Sequence, residues 1–468
     1  MKFLGTVRSA GPAIIVAAVV LGPGSILASS RVGAEWGWQG VPFLALAVAL
    51  MMGMVALSAR LGVIYPGSMC DEIASRLGRK TAAGVGIVLF GIVALYQSSN
   101  NLALGVGLEP LFEKEEGRLP EGWSRMQVLI LLIANGMVIS CLYLMRSLYS
   151  AVESAMKLLV LFMIGAFAAN LLAALLGDAP ERNAPSREKP DWLPVIALVG
   201  TTFSIGGAFF QSYLVREKGW NMRNLKQGTF DSAVGVAVLG GVSVIIMITA
   251  LLTFHGVSGV QENIGIKAIA GQLEPLFGLG SKYVFCGGFM AGAMSSFMVN
   301  AAIGGTVLSD SMGKGASMEG RWARHFTAMA LGLGMLVAIL GIIWKESRDS
   351  LMLGAQALTV LGIPALGLAM LYLATRPELE GERRVPGVLK IVAIAGILVA
   401  VALSARKVAS WFYLPSQGSA GLELYIVDQT NLIVEHGGCK KGWPGDLWNG
   451  SQRFAINEFE IFNAHFRR

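Results

Sequence analysis

Charged side chains are scarce in this chain: Asp, Glu, Lys and Arg make up 14% of its 468 residues, against 54% hydrophobic. With a mean hydropathy of +0.61, that scarcity excludes an ordinary soluble domain and makes the lipid bilayer the chain's first partner. Cysteine is scarce too, and Cys70, Cys141, Cys286 and Cys439 have no paired spacing, which excludes a disulfide framework or a zinc site. The four histidines, His255, His325, His436 and His465, are scattered. His255, near a span end, reads as a solvated loop residue rather than a proton carrier. No nucleotide loop, metal cluster or nucleophile with a base occurs, so neither an enzyme nor a bound cofactor is expected. The net charge of +7 needs no nucleic acid, because loop Lys and Arg beside an anionic leaflet account for it.

What the chain has instead is apolar segments of about 20 residues, the length that crosses a bilayer. Eleven are placed, centred near residues 20, 52, 95, 135, 164, 204, 242, 295, 334, 363 and 398. The expected division is a transmembrane bundle over 1–410 and a polar extramembrane tail over 411–468. In the tail, Leu422–Val427 partly alternates like a strand and Asn449-Gly450-Ser451 matches a glycosylation acceptor. The first span, despite Lys2, Arg8 and the small residues Ala28-Ser29-Ser30, reads as a retained helix rather than a signal peptide. Basic loops after span two (Arg60, Arg76, Arg79, Lys80), span six (Arg216, Lys218, Arg223, Lys226) and span ten (Arg376, Arg383, Arg384, Lys390) face the cytoplasm. The amino terminus is therefore expected inside, in a multi-pass protein of the inner (cytoplasmic) membrane. No motif specifies an oligomeric state.

Span one carries Gly22-Pro23-Gly24-Ser25 at its centre. Proline removes a donor and glycine favours no helix, so a break at bilayer depth frees backbone groups for a ligand. Span six carries a glycine pair, Gly206-Gly207, at the matching point of the second half. Packing glycines are an equal explanation for that pair alone. The matched positions favour two five-span repeats, inverted because five is odd, each with an interrupted first helix. Five polar residues in a row, Gln97 to Asn101, lie in span three. Such a run covers every face, so some members bond neighbouring helices. Arg31 and Glu35 are spaced to pair at i and i+4. Glu153, Asp231 and Asp310 sit near span ends as caps or loop partners, and Glu153 is the favoured carrier if a proton is coupled.

Gly11-Pro12, Gly22-Pro23-Gly24-Ser25, Gly33-Ala34 and Leu57-Ser58-Ala59-Arg60-Leu61-Gly62 together resemble the opening of the Nramp family. Weaker likenesses follow at Gln211-Ser212, Leu273-Glu274-Pro275-Leu276, Met290-Ala291-Gly292 and Gln356-Ala357-Leu358 with Pro364, so the resemblance covers about residues 8 to 408. It implies a LeuT-type fold, an all-α polytopic bundle of two inverted five-helix repeats plus an eleventh helix, with helices one and six broken. It also implies transport of divalent transition metals with protons. The family's signatures read Asp-Pro-Gly-Asn and Met-Pro-His. The matching positions here hold Gly22 for the aspartate, Ser25 for the asparagine, Ser204 for the methionine, Ile205 for the proline and Gly206 for the histidine. The acidic pair of span three falls on Gln97 and Asn100.

Transition metals want anionic oxygen and softer nitrogen or sulfur ligands, whereas Mg dehydrates reluctantly and is held through its waters. The replacements therefore resemble a divergent branch, the Nramp-related magnesium transporters. The expected substrate set is Gly22, Pro23, Gly24, Ser25, Thr201, Ser204, Gly206, Gly207 and Gln356, holding a metal through water. Gln97, Asn100, Asn101 and Glu153 are pathway candidates. Two other readings stay open. The half-helix starting near Gly24 presents amide groups and a positive dipole end, as would suit an amino acid or small carboxylate. A transport-dead sensor is the third, since an Nramp-like domain also serves ethylene signalling.

Overall fold

The computed structural model describes residues 22–113, 119–144, 191–257, 264–271, 280–343 and 348–412, fragments of 161–176, and the strands 423–427 and 431–435. The chain divides into two units, Met1–Ala409 and Ser410–Arg468. In the first, nine described stretches are long and apolar enough to cross a membrane. The first of these, Pro23–Ile64, holds the second half of span one, Pro23–Trp36, and all of span two, Gly40–Ile64, joined through a single 3-10 turn. The others are span three (Arg79–Val106), four (Trp123–Leu144), six (Leu193–Glu217), seven (Leu225–Phe254), eight (Ser281–Ser311), nine (Arg321–Ile343), ten (Arg348–Ala374) and eleven (Gly387–Phe412). Ile164–Leu176, a shorter apolar helix, stands where span five is expected. Glu153 lies outside the described residues.

The packing has the symmetry that inverted repeats require. Exchanging spans one to five for six to ten turns the contact of span one with seven into that of six with two, and both exist. The contact of three with four likewise becomes that of eight with nine, and three with ten becomes eight with five, where Gly288 faces Ala166. Spans three and eight, equivalent to each other, form the central pair. Apolar burial cannot drive helices together in lipid, so close approach at small residues does. At Gly33 of span one a Cβ would fall 2.2 Å from the Met247 carbonyl oxygen of span seven, and at Gly62 of span two one would fall 2.6 Å from the Ser212 carbonyl oxygen of span six.

The basic loop after span two folds into a short helix, Met69–Leu77. Ser68 caps it by accepting from the Asp71 amide, with Asp71 and Glu72 in its first turn and Arg76 in its last, as the helix dipole favours. Ser68 Oγ and the Tyr213 hydroxyl donate to the two carboxylate oxygens of Asp310 at 2.7 and 2.6 Å, so Asp310 ties this helix to spans six and eight. Arg216 donates to the carbonyls of Tyr65, Pro66 and Gly67, and burial pushes the Tyr65 phenol up to about 12. In the second unit, Glu423–Val427 pairs antiparallel with Asn431–Glu435, placing Tyr425 opposite Ile433. The expected strand is there, and a partner the sequence did not announce makes it a hairpin.

Candidate substrate site at the broken helices

The described part of span one begins at the expected break. Gly22 is extended (φ −94°, ψ 173°) and caps the half-helix, and Pro23 occupies its first turn. There proline's missing N–H costs no helical bond and its fixed φ favours the start. Ser25 and Ile26 donate to the Gly22 carbonyl at 3.0 and 3.2 Å.

Span six is interrupted as expected, but not at the glycines. Leu193–Thr202 ends at Phe203 (ψ 58°), and Ser204 (ψ 85°) caps the second half, Ile205–Glu217. Gly206 and Gly207 are thus in the first helical turn after the break. Neither Phe203 nor Ser204 is a strong helix breaker. The Phe203 ring, fully buried, lies against Gly396 of span eleven, so tertiary packing holds the kink. The Gly200 carbonyl, near the end of the first half, accepts from the Tyr96 hydroxyl of span three at 2.6 Å.

The neighbours of the first break come from three other spans. A Cβ on Gly22 would lie 2.7 Å from Ser296 Oγ of span eight and 3.6 Å from Asn100 Oδ1 of span three, and one on Gly24 would lie 2.4 Å from the Gln356 side chain of span ten. Gln356 also joins the two breaks, because its carbonyl oxygen faces Gly200 of span six. Asn100 Nδ2 donates weakly to Gln97 Oε1 (3.4 Å) and Ser296 Oγ (3.5 Å), while Asn300 donates to the same serine at 2.9 Å.

What these groups share is neutrality. Asn100 Oδ1, Gln356 Oε1 and Thr202 Oγ1 are buried with no hydrogen-bond partner among the described residues. An orphaned buried acceptor costs about 1–3 kcal/mol, so oxygens left this way suit a ligand that donates hydrogen bonds. Gly206 is buried, yet a Cβ there would meet no heavy atom within 4 Å. No cluster of three His, Cys, Asp or Glu side chains able to hold a bare metal exists among the described residues.

The structure distributes the other expected residues unevenly. Thr201 bonds its own helix at Ala197 and Leu198, and its neighbour Thr202 carries the open oxygen. Ser204 sits beside the Tyr96 hydroxyl. Gln97 is spent on the Phe297 carbonyl (2.6 Å), and Asn101 accepts from Asn135 of span four (2.6 Å), so both hold helices together. Arg31 donates to the Ile264 carbonyl and is attracted by Asp349 of span ten. His255 bonds the Ala34 carbonyl at 2.8 Å, half-buried rather than free in solvent. Ser296, Thr202 and Tyr96 were missed. The Ser296 and Asn300 pair at i and i+4 in an apolar span was the available signal.

The architecture, with span six interrupted at Phe203 and Ser204 and the described half of span one starting at Gly22, defines a LeuT-type, multi-pass membrane transporter scaffold. The profile of the Natural resistance-associated macrophage protein-like family matches residues 13–410, and the chain belongs to that family. It is 22% identical over 428 residues to a divalent metal cation transporter MntH of Verminephrobacter eiseniae, covering 88% of this chain and 91% of that one. With the MntH of Acidiphilium cryptum it shares 24% over 412 residues, 84% and 88% of the two chains. The crystal structure of an Eremococcus coleocola manganese transporter, bound to an aromatic bis-isothiourea compound, superposes with a TM-score of 0.71 at 14% identity, covering 89% of this chain and 90% of that one.

Proposed function

We propose that the protein is a secondary transporter of divalent metal cations whose cargo is Mg2+, carried largely hydrated. The observation that supports this most is the set of buried, unpartnered neutral oxygens from Asn100, Thr202 and Gln356 around helix breaks that bear no carboxylate or thioether. Amide and hydroxyl oxygens accept hydrogen bonds from metal-bound water but compete poorly for a bare transition metal. The family's named relatives move divalent cations, and the neutral residues here shift the choice towards an ion that keeps its shell. The amino terminus and the basic loops lie on the cytoplasmic side of the inner membrane, and the tail is a separate extramembrane unit.

A second reading rests on the first half-helix. No acidic residue stands in its first turn, so its positive dipole end is uncompensated and would attract a small carboxylate. Uptake into proteoliposomes separates the readings. The cation account expects saturable Mg uptake, weaker Mn uptake, and no competition from amino acids or small carboxylates. Carboxylate uptake indifferent to metal would replace it with the second reading. No uptake of any solute would leave a sensor.

A further inference from the structure

Away from the broken helices, a groove of about 790 Å3 opens where the end of span two meets the starts of spans seven and eleven. Its lining holds three cations, Arg60, Arg223 and Lys226, against one acid, Glu382. Arg60 is anchored through Nη2 to the carbonyls of Glu382 and Arg384, and its buried Nε has no partner among the described residues. The side chains of Arg223 and Lys226 are exposed and make no ion pair among the described residues. Thr229 adds a hydroxyl, and Leu225 and Leu389 supply an apolar wall.

Two apolar ridges lead away from this groove. Span seven starts there and exposes Phe230, Val234 and Val238 at successive turns. Span eleven starts there too and exposes Val388, Ile391, Ile394 and Leu398. Both spans pack on span two, through Gly240 against Val48 and Val392 against Gly53, so the ridges flank one helix and run in the same direction. Cations at a span boundary followed by parallel apolar ridges match a molecule with an anionic head and acyl chains. A soluble anion would have no use for the ridges, and a zwitterionic lipid would leave the excess cations unmatched.

We propose that this groove binds the headgroup of an anionic phospholipid, with its acyl chains lying along the exposed faces of spans seven and eleven. The test is native mass spectrometry of the purified full-length protein with phosphatidylglycerol, phosphatidylcholine and inorganic phosphate, alongside thermal unfolding in the same mixtures. The parent should retain phosphatidylglycerol preferentially and be stabilised by it, with phosphate alone giving neither effect. Arg223→Ala with Lys226→Ala should weaken retention about fivefold per cation, about 25-fold for the pair. Arg125→Ala, a loss of one positive charge at the start of span four, should leave it unchanged. Equal retention of the two lipids by the parent would overturn the proposal without recourse to any variant. Stabilisation by phosphate alone equal to that by the lipid, or undiminished retention by the double variant, would overturn it as well.

Discussion

Replacing Gly22 by aspartate puts a carboxylate back at the first helix break, and the geometry sets its consequences. The new Cβ would fall 2.7 Å from Ser296 Oγ and 3.6 Å from Asn100 Oδ1. The serine hydroxyl can rotate away, and Gly22→Asp combined with Ser296→Gly removes the conflict outright. At about 5 Å and an effective dielectric of about 20, a carboxylate attracts a divalent ion by about 7 kcal/mol. Desolvating the carboxylate takes back several kcal/mol. A net gain of about 1–3 kcal/mol, about 5- to 150-fold in affinity, is therefore expected even through an intervening water, and an ion that bonds the carboxylate directly gains more. Mg, which sheds water reluctantly, gains less than Mn. Calorimetric binding of Mg and Mn to the parent and both variants should show the Mn to Mg affinity ratio rising by at least about tenfold. An unchanged ratio in correctly folded protein would refute the argument from the lost ligand.

Other outcomes follow from the same site. Gln356→Ala removes a buried oxygen contributed by span ten and should raise the KM for Mg uptake by about 10-fold while the protein stays monodisperse. Gly33→Ala should lower stability by about 1–3 kcal/mol in thermal unfolding, because its Cβ would meet the Met247 carbonyl, whereas Gly206→Ala, with open space at the same point, should not lower it. Gln97 and Asn100 carry amides where acids would titrate, so Mg uptake should stay flat between about pH 6 and 8 and should not acidify the vesicle lumen. A bell-shaped profile would point to a proton carrier elsewhere in the chain.

Much of the fold was legible because its cause is local. Length, apolarity and basic loops mark spans wherever they occur, and Gly22-Pro23 announces the helix start at Pro23 through an extended cap and a first-turn proline. The break in span six was legible only to within a few residues. Phe203 and Ser204 carry no breaking chemistry of their own, and the kink comes from a ring packed on Gly396, a contact about 190 residues away in sequence. The polar run of span three shows the same limit. Sequence could say that five polar residues surround one helix, but not that Asn100 looks into the site while Gln97 and Asn101 bond spans eight and four. Ser296 was harder to read, because a serine beside Ser295 in a glycine-rich span looks like packing until its neighbour across the bundle is known.

The central claim is that the site holds a cation through its water shell. Cobalt(III) hexaammine tests it most directly, because its inert ammines match the size and donor pattern of hydrated Mg and cannot be replaced by protein ligands. The account predicts that it inhibits Mg uptake competitively in proteoliposomes, and that Gln356→Ala weakens both ions together. Mg uptake insensitive to the hexaammine but blocked by Mn would mean that the ion is stripped and bonded directly, which the neutral site described here could not do.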